Sequence, residues 1–115
     1  MDKSIFLTSD IDIDTFASCL KKKYSRNSLI SFKNDWNNFV VFCQLHHVMA
    51  LPASTTAIRI FIEKQAKEKK LASIKRSLIS ISHVHNAFEL KDPTQTVQVK
   101  AAVGIKVTAP PAAAN

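Results

Sequence analysis

Apolar residues recur at intervals of three and four over long stretches of the chain, which is the spacing that places side chains on one side of an α-helix. The clearest stretch runs from Arg26 to His47, with apolar positions at Leu29, Phe32, Trp36, Phe39, Val40 and Cys43. Ser25 is a suitable N-cap for this helix. Pro52 marks the loop that follows, because proline disfavours helical geometry in the residue before it.

The same spacing predicts two more helices. One starts after Ser54 or Thr55, ends in the charged stretch 67–70, and directs inward Ile58, Phe61, Ile62 and Ala66. The next spans Ala72 to Phe88, with an inward side formed by Ile74, Leu78, Ile81, His85 and Phe88. A last, weakly patterned helix is predicted from Thr94 to Val103, because Asp92-Pro93-Thr94 offers a stop and a new start.

A short helix is also predicted near the amino terminus, from Asp12 to Lys23. Its acidic residues stand in the first turn and its lysines in the last, as the helix dipole favours. The alternative for this segment is a frayed leader. With one glycine in the chain and no Asn-Gly or Asp-Gly turn, we predict an all-α fold, a small bundle of four to five helices.

The chain divides by composition into three parts. Residues 1–25 form an acidic leader with the short first helix, and residues 26–104 form the helical domain. Residues 105–115 are rich in proline and alanine, which indicates an interdomain linker that is cut before a further domain.

Charge narrows the choice of partner. The net charge is +7, yet residues 1–20 carry −3 and residues 21–106 carry +10, so the surplus lies on the helical part. Such a domain attracts polyanions, of which nucleic acid is the commonest and an anionic membrane surface the main competitor. The longest apolar run, Phe39 to Cys43, is too short to span a bilayer. We expect a soluble, cytoplasmic protein that does not bind membranes.

No residue pattern indicates a metal site, a cofactor or an active site. His46 and His47 are adjacent and His83 and His85 are two apart, so neither pair shares a helix side as zinc ligands at i, i+4 do. His85 falls in phase with the apolar side of its helix, which favours a hydrogen-bonded core histidine. Cys19 and Cys43 lie in helical patterns and are expected to be reduced core residues. We therefore expect no catalytic residue, no metal and no cofactor.

Several basic residues lie off the apolar sides of their helices. Lys33 on the long helix and Lys75 and Arg76 on the helix from Ala72 are exposed by this pattern. Exposed lysines are usually only solvated, but several on one surface would contact phosphates. The sequence does not show whether these three share a surface.

The ordered set of motifs resembles the core-binding, SAM-like amino-terminal domain of Cre-like tyrosine recombinases, the phage integrase family. The resemblance covers residues 26–106 and rests on Ser28, Phe32, Trp36, Phe39, Phe42-Cys43, Pro52-Ala53, Ile58, Phe61-Ile62, Ser73-Ile74, Leu78, Ile81, His85, Pro93-Thr94, Val97 and Val103-Gly104. Two departures are visible. Phe42 stands where the family has tryptophan, and Leu45-His46-His47 stand where it has a glycine after the long helix.

The resemblance implies a domain that clamps one side of double-stranded DNA during integration or recombination, while a separate catalytic domain clamps the other side and cuts one strand with a tyrosine. Tyr24, the only tyrosine here, lacks the Arg, Lys and His neighbours of that reaction, so we expect this chain itself not to be an enzyme. Matching positions imply DNA contacts by Asn27, Ile30, Ser31, Ala72, Lys75, Arg76 and Ser80, with Lys33, Lys69 and Lys70 as nearby candidates.

Further partners follow from the same resemblance. The full-length parent would act as a tetramer with other recombinase subunits on DNA, whereas the isolated domain is expected to be monomeric. Two alternatives remain open. One is a stand-alone helical DNA-binding regulator that uses the helix from Ala72 to Phe88 for recognition. The other is a helical protein-interaction adaptor whose basic surface meets an acidic partner.

Overall fold

The computed structural model describes residues 3–8 and 10–104, so the predicted linker at 105–115 lies outside the described residues. The described part contains five α-helices, two short 3-10 helices and no strand, which confirms the all-α prediction. The α-helices are α1 (Ile13–Cys19), α2 (Arg26–Leu45), α3 (Thr55–Glu68), α4 (Leu71–Ala87) and α5 (Val97–Val103). The 3-10 helices are Lys3–Leu7 and Pro93–Gln95.

Side-chain caps explain where α2 and α3 begin. The Ser25 hydroxyl accepts a hydrogen bond from the Ser28 amide, and the Ser54 hydroxyl accepts one from the Ala57 amide. Each bond satisfies an amide that the first turn of a helix leaves without an intrahelical acceptor. Both starts were predicted from the sequence and are confirmed.

The core lies where α2 crosses the other helices. Trp36 and Phe39 of α2 are fully buried, and the Phe39 ring packs edge-on against Phe61 of α3 at 5.1 Å between centroids. The amino-terminal segment belongs to the same core. Phe6 and Phe16 are fully buried, and the Trp36 indole donates a hydrogen bond to the Phe6 carbonyl at 2.9 Å. Residues before α2 therefore complete the core.

The first helix is shorter than predicted. It ends at Cys19, so Lys21, Lys22 and Lys23 lie in the following loop and not in the last turn. Leu20 leaves helical geometry and packs against the core, and Tyr24 then packs against the ring of Phe32. Charges at a helix end contribute no more than about 1 kcal/mol when exposed, so the apolar contacts decide where α1 stops.

The predicted last helix is two elements. The Asp92 carboxylate accepts hydrogen bonds from the amide and hydroxyl of Thr94 and starts the 3-10 helix Pro93–Gln95. Thr96 then leaves helical geometry and caps α5 through a bond from the Val99 amide. Two caps four residues apart thus divide what a continuous pattern had indicated as one helix.

His85 is the hydrogen-bonded core histidine that the pattern predicted. It is fully buried, with Nε2 accepting from the Ala53 amide at 2.9 Å and Nδ1 placed to donate to the Ile81 carbonyl at 2.8 Å. These partners require the neutral ring, and burial lowers the pKa of His85. Cys19 and Cys43 are free thiols, and burial raises their pKa values to about 11 and about 12 respectively.

Candidate nucleic-acid interface

Helices α2 and α4 pack against each other in antiparallel directions. Asp35 pairs with Arg76, the carbonyl of Phe32 accepts from Ser80, and Tyr24, just before α2, packs on His83. Residue numbers fall along one helix as they rise along the other. The start of α2 therefore lies beside the end of α4, and the start of α4 lies beside the middle of α2.

Arg76 is held in place by Asp35. Its Nε donates to Oδ2 at 2.6 Å and its Nη2 donates to Oδ1 at 3.1 Å. The Asp35 side chain is 7% exposed and that of Arg76 is 48% exposed, so the pair sits at the rim of the core. The hydrogen bonds to Asp35 raise the pKa of Arg76. The two hydrogen bonds use Nε and Nη2 of the guanidinium, and Nη1 takes no part in them.

Two of the predicted DNA contacts do not lie on the surface beside Arg76. Ser80 is fully buried, and its hydroxyl donates to the Phe32 carbonyl at 2.6 Å, so its assignment as an exposed contact is corrected. Lys33 stands two positions before Asp35, which places it on nearly the opposite side of α2. It shares a side instead with Asn37, whose amide oxygen accepts from the Ile11 amide. Helix packing thus separates Lys33 from Lys75 and Arg76.

Other predicted residues do come together on α2. Asn27 and Ser31 stand eight and four positions before Asp35 and share its row along the helix. Ile30 is exposed in the neighbouring row. Two residues that were not predicted continue this polar side, because Asn34 and Asn38 are both exposed. The spacing of Asn27, Ser31, Asn34 and Asn38 (i, i+4, i+7, i+11) is a signal that the sequence itself contains.

The first turns of α4 carry the remaining predicted positions. Lys69 and Lys70 are exposed in the turn before α4, and Ala72 and Lys75 are exposed on the helix. Lys70 is the N-cap residue but makes no side-chain cap hydrogen bond, and the first turn contains no acid. The positive end of the helix dipole is therefore surrounded by positive side chains, an arrangement that favours an anion. We call Lys69, Lys70, Ala72, Lys75 and Arg76 the α4 face.

The exposed side of α4 continues beyond this face through Ile79 and His83 to Asn86. Two cavities flank His83. One, of about 310 Å³, lies between α4 and the second 3-10 helix and is lined by Lys75, Leu78, Ile79, Ser82, His83, Thr94 and Gln95. The other, of about 230 Å³, is lined by Leu20, Lys21, Lys22, Tyr24, His83 and Asn86. Sequence reasoning missed this second group, because only the fold brings the loop after α1 to the end of α4.

Comparisons with known proteins give one informative similarity. The chain is 35% identical over 68 residues to an integrase/recombinase XerD homolog of Selenomonas ruminantium, a match that covers 59% of this chain and 20% of that relative. No protein-family model matches the chain, and no solved structure matches it significantly. The similarity supports a relationship to tyrosine recombinases, and the matched segment spans about a fifth of the relative's length.

The described residues contain no group of three or more His, Cys, Asp or Glu side chains able to hold a metal ion. Within the same residues, no helix has the length and apolar character needed to cross a membrane.

Proposed function

We propose that this chain is the DNA-binding, amino-terminal core-binding domain of a tyrosine recombinase, and that it clamps one side of a duplex during integration or recombination. The observation that carries the proposal is the 35% identity over 68 residues to an integrase/recombinase. The helical fold and the net charge of +7 are compatible with it.

The three lysines of the α4 face supply the phosphate contacts. Lys69, Lys70 and Lys75 are exposed, and none of them forms a salt bridge among the described residues. Their ammonium groups are thus free to exchange counterions for backbone phosphates, which is the main source of non-specific affinity for DNA. The uncapped start of α4 adds amide donors that suit the same anion.

Base edges are read from the polar side of α2 and from Arg76. Ser31 and Asn27 follow Asp35 at one and two turns toward the start of α2, and amide, hydroxyl and guanidinium groups pair with the donors and acceptors of the major groove. Because its Nε edge is bound to Asp35, Arg76 presents Nη1 in a restricted orientation. Ile30 and Ala72 provide apolar contact with thymine methyl groups.

Catalysis belongs to another part of the parent protein. Tyr24 packs against the rings of Phe32 and His83, and this chain supplies binding only. The partners are double-stranded DNA and, on DNA, further recombinase subunits that form a tetramer with the full-length parent.

Fluorescence anisotropy with a labelled duplex of mixed sequence tests the proposal. We expect a dissociation constant on the order of 10⁻⁴ to 10⁻⁶ M at physiological salt, the range of non-specific phosphate binding. Polyglutamate serves as the matched competitor, because it carries charge without the geometry of a duplex. Binding to polyglutamate that equals or exceeds binding to the duplex would contradict the proposal and favour an adaptor for acidic partners.

A further inference from the structure

The 230 Å³ cavity at the far end of α4 is lined by an unusual set of side chains. Lys21 and Lys22 come from the loop after α1, Tyr24 from the residues just before α2, and His83 and Asn86 from the end of α4. Every one of these polar groups can donate a hydrogen bond, and no Asp or Glu lines the cavity. Such a site is suited to an anion.

The charges around His83 point to the same ligand. Burial is the main cause of the lowered pKa of His83, and the nearby Lys22 ammonium lowers it further, while Asp92 acts in the opposite direction. The Asp92 carboxylate is engaged by Ser82 and Thr94 on the side of the second 3-10 helix. The lowered pKa favours the neutral ring of His83, which can still donate one hydrogen bond, so Lys21 and Lys22 supply the positive charge that an anion would compensate.

The floor of the cavity is fixed by aromatic packing. The rings of Tyr24, Phe32 and His83 contact one another pairwise, with centroid distances of 5.5, 5.0 and 5.1 Å. Two of the three rings line the cavity, and the third anchors them to α2. The donors on Tyr24 and His83 are therefore held in place before any ligand arrives, which lowers the entropic cost of binding.

We propose that this cavity, which we call the His83 pocket, binds a backbone phosphate of the duplex. The inference rests on the proposed function and adds a contact with the backbone of the second DNA strand. Lys70, the N-cap residue of α4, and Asn86 near its end stand sixteen positions apart, a distance of roughly 24 Å along the helix axis. The major groove is about 12 Å wide, so a helix lying across it reaches past both rims. The α4 face then contacts one backbone and the His83 pocket contacts the other.

The test compares two charge-matched variants of the full chain. Lys21→Gln/Lys22→Gln alters the pocket, whereas Lys64→Gln/Lys67→Gln removes two exposed lysines of α3 that do not line it. Circular dichroism is used to check that both variants are folded. The salt dependence of duplex affinity is then measured for each. Loss of one phosphate contact lowers the magnitude of the log-log slope by about 0.9 in the pocket variant, and the control keeps the slope of the unaltered chain.

A second readout locates the contact. In nuclear magnetic resonance titrations with the duplex, the side-chain amide of Asn86 and the ring protons of His83 should shift in the unaltered chain and stay in place in the pocket variant. If the unaltered chain binds the duplex but neither variant changes the salt dependence of binding, the phosphate contact at the His83 pocket is refuted and the proposed function still stands. If the unaltered chain binds no duplex, the proposed function fails and the inference fails with it.

Discussion

The guanidinium of Arg76 on α4 donates two hydrogen bonds to the carboxylate of Asp35 on α2, and the two partners differ sharply in exposure. Asp35 is nearly buried, while about half of the Arg76 side chain reaches solvent. Asp35 thus depends on Arg76 for compensation of its charge, whereas Arg76 retains access to water and to a ligand. Arg76 has a structural role as well as its proposed role on the α4 face.

Removing the arginine should therefore cost more than removing the acid. We expect Arg76→Met to lower the free energy of unfolding by about 2 to 3 kcal/mol, because it leaves a buried carboxylate unpaired. Asp35→Asn leaves a partly solvated arginine and should cost about 1 kcal/mol. Urea denaturation of both single variants and of the double variant measures this. The double variant should recover part of the loss, and equal costs for the two single variants would contradict the account.

The segment before α2 should be essential for stability. Phe6 is fully buried and packs edge-on against Phe88 at 5.3 Å between ring centroids. We expect Phe6→Ala to lower the free energy of unfolding by about 3 to 5 kcal/mol, the usual cost of truncating a buried phenylalanine. Ile5→Ala is the control, because Ile5 is exposed and should change stability by about 0.5 kcal/mol or less. Similar small effects for both would show that residues 3–8 do not belong to the core.

The sequence predicted the helices well where caps and apolar spacing agreed, as for α2 and α3. It could not predict which side of each helix meets its neighbour, because that depends on how the elements pack. Ser80 was assigned to the surface and is buried against the Phe32 carbonyl. The spacing of apolar residues did not predict that Asp35 is buried, because its partner Arg76 lies 41 residues away in the sequence. The His83 pocket was missed for the same reason.

Stability should depend on the protonation of His85. Its folded-state pKa lies below the ordinary value, so below about pH 6.5 the unfolded chain takes up a proton that the folded chain resists. The free energy of unfolding should fall as the pH drops through about 6.5 and level off below the folded-state pKa. His83, whose pKa is also lowered, adds to the fall.

Urea denaturation between pH 7.5 and pH 5 measures this dependence. His85→Gln should be less stable at pH 7.5, because the partners of the ring are lost, and should show a shallower fall with decreasing pH. The control is His47→Asn at an exposed position, where a left-handed backbone tolerates asparagine. A His85→Gln variant that keeps the full pH dependence would show that another group controls it.

The isolated chain should be monomeric in solution. In the proposed assembly, contacts between subunits form on DNA, and the terminal elements of one small domain do not provide the roughly 1,000 Å² of buried surface typical of a stable interface. Sedimentation velocity at micromolar concentrations should give a single species of 12.8 kDa. A tight dimer in the absence of DNA would refute this expectation.

The most direct test of the central claim is the salt dependence of duplex binding by variants of the α4 face. Arg76 is left intact, because a change there would also disturb Asp35. Lys69→Gln/Lys70→Gln/Lys75→Gln is compared with Lys64→Gln/Lys67→Gln/Lys100→Gln, and each variant changes the net charge from +7 to +4. With about four phosphates contacted, the unaltered chain should have a log-log slope near −3.6, and loss of three contacts should reduce its magnitude by about 2.7. The account predicts this reduction in the first variant and a nearly unaltered slope in the second. Equal salt slopes and equal affinities in the two variants would show that the α4 face does not bind DNA.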